Sequence, residues 1–255
     1  MQLGLQGKVA LVTGGTKSIG LSIVKSFLDE GAIVHFCSRT KSDVVATEQS
    51  LSSSYGEEKA HGHTVDIINS EQVSEWVKQC AEASSRIDVV VSNVSALAVD
   101  DSRANWDSTY QTDIVGTYTL IDAATPHLKE SKGSIVTISS VSGRYIDFTA
   151  PSPYGAFKAA LVHYTSQLAH RLAPSGVRAN SVSPGNIYVE DGIWGSIERE
   201  KPEFFAQQVK ENPMGRMGRP QEVADAVVWL ASDRASFVSG TNLLVDGAVS
   251  PAVQF

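Results

Sequence analysis

Seven short apolar runs punctuate the chain: "KVALVT" (8–13), "AIVHFC" (32–37), "HGHTVD" (61–66), "IDVVVS" (87–92), "GSIVTIS" (133–139), "VRANSVS" (177–183) and "NLLVDG" (242–247). Most are rich in Val and Ile and nearly continuous rather than alternating. Strands buried on both faces read this way, as in a parallel sheet covered by helices. Between them lie amphipathic stretches such as "SIGLSIVKSFLDEG" (18–31) and "EQVSEWVKQCAEAS" (71–84). The βαβα alternation predicts an α/β fold: one doubly wound, Rossmann-like parallel sheet of about seven strands, with helices on both faces and right-handed crossovers. The polar segment 42–59 reads as an exposed helix and loop. No internal boundary or repeat interrupts the pattern, so residues 1–255 are expected to form a single domain.

Composition narrows the function. The 255 residues are 42% hydrophobic and 19% charged, enough for a sizeable core and unlike a disordered chain. A net charge of −7 argues against a nucleic-acid backbone or an anionic membrane as partner. The N-terminus lacks the basic start and apolar run of a signal peptide. No apolar stretch approaches the ~20 residues of a membrane helix. With only Cys37 and Cys80, in no close pair and no metal spacing, a cytoplasmic location is expected. The six histidines are not expected to gather as ligands. His61 and His63 read as alternating residues of a strand face, and no metal site is expected.

Candidate chemistry begins at "LVTGGTKSIG", where the first strand runs into the first helix. Gly14 and Gly15 can take φ > 0 and let backbone approach a ligand closely. Gly20 removes a side chain where helix and sheet must pack. The helix N-terminus offers free N–H groups and partial positive charge to a pyrophosphate. Gly14, Thr16, Lys17, Ser18, Ile19 and Gly20 therefore form a candidate nucleotide cradle.

The second strand ends in "HFCSRTKSD". A carboxylate there would accept hydrogen bonds from the ribose of NAD. Ser38 occupies that place instead, followed by Arg39, whose planar fork suits a 2′-phosphate. With Lys17 near the same place, the arrangement points to NADP(H).

In "PSPYGAFKAA" (151–160), Tyr154 and Lys158 stand four apart. Alone, such a pair is an ordinary helix face. Upstream, the strand of "GSIVTISSVSGRYIDF" ends at Ser139–Ser140, at the carboxyl edge where open α/β sheets place their sites. Ser139 should point to the opposite face from Ser140.

Together these stretches resemble the short-chain dehydrogenase/reductase family over nearly the whole chain. The glycine turn is similar to its T-G-x-x-x-G-x-G. Asn93 matches the first residue of its N-A-G, and Ser140, Tyr154 and Lys158 match its serine and Y-x-x-x-K. The tail 212–249 is close to its ending. The resemblance implies that Asp66 contacts the adenine and that Asn93, Pro184, Gly185 and Ile187 border the cofactor. It also implies a homotetramer or homodimer packed through the long helices and last strand.

The chemistry needs these residue types. Hydride transfer to a carbonyl builds charge on oxygen, which must receive a proton. A phenol can donate it, but forming its anion at neutral pH is unfavourable by roughly 4 kcal/mol. A lysine ammonium and an oxidised nicotinamide favour that anion. Ser140 would hold the substrate oxygen, with Ser142 as runner-up. Lys158 also suits the nicotinamide ribose. Tyr154 and Lys158 thus count for both catalysis and cofactor binding.

Five departures stand out, one being that the family's threonine after Pro184 and Gly185 falls near Val189. Ser18 replaces the family's middle glycine. Val94 and Ser95 replace Ala and Gly after Asn93. Ser140 precedes Tyr154 by fourteen residues rather than thirteen. Asp113 stands where the family's helix reads N-x-x-G and brings a charge near Lys158, which leaves three readings open: an ion pair with the lysine, a modified proton relay, or weakened redox chemistry. Segment 188–213 is where the family's substrate lid lies. Ser140, Ser142, Tyr145, Tyr154 and Trp194 are candidate substrate contacts, with Phe148, Phe204 and Phe205 as further apolar walls.

The expected activity is an NADP(H)-dependent carbonyl reductase acting on a small-molecule carbonyl or secondary alcohol. The alternatives are non-redox cyclase- or lyase-like chemistry on the same fold, and a non-enzymatic NADPH-binding protein.

Overall fold

In the computed structural model, which describes residues 2–146 and 153–251, the seven apolar runs become seven parallel strands. They are β1 (Val9–Thr13), β2 (Ile33–Ser38), β3 (Ala60–Thr64), β4 (Val89–Ser92), β5 (Ser134–Ile138), β6 (Arg178–Pro184) and β7 (Asn242–Val245). Each boundary falls within two residues of the expected run. The order is β3-β2-β1-β4-β5-β6-β7. Successive strands therefore step outward from β1 in one direction and from β4 in the other. The crevice above their carboxyl ends at that reversal is where such sheets bind ligands.

The helices α1 (Ser18–Asp29), α2 (Lys41–Tyr55), α3 (Ser70–Ser84), α5 (Gly116–Ser131), α6 (Tyr154–Leu172) and α9 (Pro220–Ala231) cover the sheet, while α4 (Arg103–Thr109) leads into α5, and α7 (Ile193–Glu200) and α8 (Pro202–Glu211) pack on each other. Strand parity decides the layers. Ala10 and Val12 join Ile23 and Phe27 of α1 and Val223 and Val227 of α9 in one apolar cluster. Val9 and Leu11 join Val73 and Trp76 of α3, Leu120 of α5 and Leu168 of α6 in the other. Each fully buried Leu or Ile contributes roughly 1.5–3 kcal/mol, so this two-sided burial outweighs the weak propensities of the strands.

Only one of the two turn glycines uses its freedom of φ, and the expectation about the histidines needs correcting. Gly15 does not take a positive φ; Gly14 does, at +69°. Gly15 is required for a different reason, because a Cβ there would lie 2.6 Å from the Phe36 Cβ. The histidines do gather. His35 on β2 pairs in register with His61 on β3, and Cys37 pairs with His63. Cys80 of α3 covers them, with Cys80 Sγ 3.9 Å from His63 Nε2. Spacing within one segment carries no trace of this, since the register between two strands creates it.

Candidate active site

The glycine turn is tightly built. Gly14 N donates to the Cys37 carbonyl at 2.8 Å, tying the end of β1 to the end of β2. A Cβ on Gly20 would lie 2.0 Å from the Gly14 carbonyl oxygen, so only glycine lets α1 start this close to the turn. Ser18, the first residue of α1, holds φ at +53°. That is the left-handed region, which costs a residue with a Cβ roughly 1–2 kcal/mol. Among the described residues, no side chain caps α1 and its first turn carries no acidic group. Its N–H groups and dipole are thus available to an anion. Thr16 and Ile19 lie within the same turn.

Pairing of Thr13 with Cys37 sets Ser38 and Arg39 beside that turn. Lys17 and Arg39 are both exposed, and no ion pair engages either among the described residues. The nearby arrangement can hold a phosphate. Asp66 closes a turn after β3, accepting from Ile68 N at 3.3 Å. The cap of α3 falls to Asn69 instead, whose Oδ1 accepts from Gln72 N. Asn93 straps β4 to the glycine turn: its Nδ2 donates to the Thr13 carbonyl at 2.9 Å, and its backbone N donates to Thr13 Oγ1. Thr13 was not among the expected residues, although a buried hydroxyl ending a strand has to find partners.

Tyr154 opens α6, and Lys158 follows one turn later with its Nζ 5.6 Å from the centre of the Tyr154 ring. Lys158 is 2% exposed. Its ammonium donates to the Ile138 carbonyl at 3.0 Å and pairs with Asp113 Oδ2 at 3.1 Å. Asp113 is fully buried. It sits in a π-helical turn, Tyr110–Val115, that joins α4 to α5. A π turn re-aims side chains within a helix and often marks functional sites. The Ser95 hydroxyl donates to Asp113 Oδ2 at 2.6 Å, and Ala96 N donates to Oδ1 at 2.8 Å. The two departures at 95 and 113 are therefore one interaction. Their joint occurrence in the sequence was the available signal.

Ser140 lies two residues past β5, where it caps the turn that follows, its Oγ accepting from Ser142 N at 3.2 Å. The Ser139 hydroxyl is occupied by the Lys158 carbonyl at 2.8 Å, on the helix side. Gly143 keeps this loop against α6, where a Cβ would lie 2.6 Å from the Lys158 carbonyl carbon. Tyr145 follows, half-buried. Phe148 lies outside the described residues.

At the end of β6, Pro184 pairs with Val245 and Gly185 N donates to the Val245 carbonyl. Ile187 forms a bridge with Gly218. Segment 188–213 folds as α7 and α8. Trp194 stacks on Phe204 with ring centres 6.4 Å apart, and Tyr188 meets Phe205 edge-on at 5.9 Å. Trp194 therefore has a packing partner within the segment itself.

A family model described as enoyl-(acyl carrier protein) reductase matches residues 14–250. Isoepoxydon dehydrogenase of Penicillium expansum is 37% identical over 254 residues, covering 99% of this chain and 98% of that protein. L-fucose dehydrogenase of Mus musculus is 36% identical, covering 94% and 88%. Among solved structures, an NADPH-bound short-chain oxidoreductase of Pseudomonas aeruginosa PAO1, described as containing an atypical catalytic center, superimposes with a TM-score of 0.89. It is 26% identical and covers 96% of this chain and 98% of that one.

Proposed function

The chain belongs to the short-chain dehydrogenase/reductase family, and we propose that it is an NADP(H)-dependent carbonyl reductase with Tyr154 as proton donor. The observation that carries this reading is Lys158 held beneath Tyr154 at the sheet edge shared by Ser140 and the glycine turn. The dinucleotide fits the residues present: the glycine cradle has no room for a Cβ at Gly20, and Lys17 and Arg39 are exposed without carboxylate partners among the described residues.

Gly14, Thr16, Lys17, Ser18, Ile19 and Gly20 would hold the pyrophosphate side. Ser38, Arg39 and Lys17 would hold the 2′-phosphate, and Asp66 the adenine. Asn93, Pro184, Gly185 and Ile187 would border the nicotinamide half. When bound, the reduced nicotinamide supplies the hydride.

Ser140 orients the substrate oxygen, with Ser142 beside it. The Tyr154 hydroxyl gives its proton to that oxygen as the carbonyl carbon becomes tetrahedral. The Lys158 ammonium stabilises the phenolate left behind and holds the ribose. Asp113, fixed by Ser95 and Ala96, anchors that ammonium and passes the replacement proton from solvent. Overall, one carbonyl, one NADPH and one proton give one alcohol and one NADP+. Segment 188–213 would act as the lid, with Trp194 and Tyr145 as substrate walls.

The substrate is a small or medium carbonyl compound interconverted with its secondary alcohol. The relatives named for isoepoxydon and L-fucose support a small oxygen-bearing molecule. Cytoplasmic placement and a homodimer or homotetramer belong to the same reading. Free, buried Cys37 and Cys80 support the first of these. No helix among the described residues is long and apolar enough to cross a membrane.

The test is NADPH absorbance with a panel of aryl ketones, ketoesters and hydroxyketones, together with NADP+ reduction by the matching alcohols. Turnover with NADPH at far lower concentration than with NADH is expected. Tight NADPH binding without turnover on any member of the panel would overturn the redox reading.

A further inference from the structure

Away from the sheet edge that carries the active site, β2, β3 and α3 enclose a second cluster of chemically competent side chains. His35 Nδ1 lies 3.1 Å from His63 Nε2, and Cys80 Sγ lies 3.9 Å from the same nitrogen. The ligand atoms of His35, His63 and Cys80 all fall within 4.8 Å of one another. Tetrahedral zinc with nitrogen ligands at about 2.0–2.1 Å and sulfur at about 2.3 Å needs nitrogen–nitrogen separations of about 3.3 Å and nitrogen–sulfur separations of about 3.6 Å. The two separations that involve His63, 3.1 Å and 3.9 Å, lie within about 0.3 Å of those values. We propose that His35, His63 and Cys80 form a binding site for a single thiophilic divalent cation of the zinc class.

The surroundings are those of a metal site. The second ring nitrogen of His35, Nε2, lies 2.8 Å from Ser84 Oγ. A ligating histidine commonly fixes its tautomer through such an outer hydrogen bond. Ser84, Cys80 and Trp76 recur four apart along α3, so one stripe of the helix covers the histidines. The Trp76 ring stands 6.1 Å from that of His63, and its indole N–H is buried with no hydrogen-bond partner among the described residues. The His61 ring stacks on His35 at 4.8 Å. Cys37 lies on the same sheet face as His35, in register with His63. In the metal-free chain both ring nitrogens of His35 are engaged, Nδ1 with His63 and Nε2 with Ser84. Burial raises the Cys80 thiol, and a bound cation would reverse that by binding the thiolate. Binding therefore releases one proton from Cys80 and moves the proton shared between His35 Nδ1 and His63 Nε2 away from that contact. Entry is open, because β3 is the edge strand and both His61 and His63 are partly exposed.

The test uses the full-length protein stripped with a chelator, and cobalt(II) as the probe. One equivalent should bind with a thiolate-to-cobalt charge-transfer band that zinc(II) then bleaches stoichiometrically. Zinc at about 100-fold over its Kd should raise the thermal midpoint by roughly 5–10 °C. Cys80→Ser should lose the band, His63→Gln should weaken binding at least tenfold, and Ser84→Ala should weaken it roughly tenfold. Circular dichroism and NADPH binding report whether each variant is folded. Absence of the band in the unmodified protein overturns the site. So does an equal zinc response in folded Cys80→Ser or His63→Gln.

Discussion

The Lys158 ammonium lies 3.1 Å from the Asp113 carboxylate, and both side chains are buried. Removing one partner of a buried pair typically costs 3–5 kcal/mol, because the other charge is left uncompensated. Asp113→Ala should therefore lower stability by about that amount in a urea melt. Asp113→Asn keeps an oxygen for Ala96 N and removes the negative charge. The Lys158 charge then acts on Tyr154 without that counterweight. The acid limb of kcat/KM for alcohol oxidation should move to lower pH, and kcat should fall as the relay loses its carboxylate. An unchanged rate and pH profile would remove Asp113 from the proton path.

Ser18 supplies the opposite kind of change. Its φ of +53° is strained for serine and unstrained for glycine. Ser18→Gly should gain roughly 1 kcal/mol at this position, net of the entropy that glycine loses elsewhere, and raise the melting temperature by about 2–4 °C. If the hydroxyl also contacts a cofactor phosphate, the same variant should bind NADPH more weakly. Calorimetry and a binding titration separate the two effects.

Cofactor choice should reside in two exposed cations. Charge-assisted hydrogen bonds are worth about 1.5–3 kcal/mol each. Arg39→Ala should then raise the Kd for NADPH about 10- to 100-fold and leave that for NADH nearly unchanged. Adding Ser38→Asp should favour NADH, since a carboxylate accepts from ribose hydroxyls and repels the 2′-phosphate. Equal losses for both cofactors would locate the 2′-phosphate elsewhere.

The sheet was legible because apolar runs such as "KVALVT" are continuous, short and rich in β-branched residues, as strands covered on both faces are. Asp113, Tyr154 and Lys158 were legible as residue types at the correct spacing. Their geometry was not. The π turn at Tyr110–Val115 that buries Asp113 has no separate hydrophobic period, and the Ser95–Asp113 bond joins residues eighteen apart. Gly15 looked like a turn glycine and proved to be a packing glycine, because the Phe36 contact arises only when β1 and β2 pair. The histidine–cysteine cluster was hidden for the same reason: it depends on strand register and on α3 crossing above it.

That cluster also sets an acid sensitivity. Burial, with His61 and His63 adding like charge, pulls His35 down to about 3, and His63 shifts in the same direction. Glu48 opposes the shift at His63, and the facing thiols are Cys37 and Cys80. An unfolded histidine takes its proton near pH 6.5. Between these values the unfolded chain binds more protons, so stability rises with pH and is lost as pH falls from about 6.5 toward 3. In metal-free protein, the urea midpoint should fall across this window. A His35→Gln variant should show a flatter curve.

Tyr154→Phe tests the central claim most directly. The variant keeps the ring over Lys158 and removes only the hydroxyl, so NADPH titration should give a Kd close to that of the unmodified protein. Turnover on the best carbonyl of the panel should drop by about 10²–10⁴-fold, the usual contribution of a positioned proton donor. NADPH binding with undiminished turnover would contradict the account.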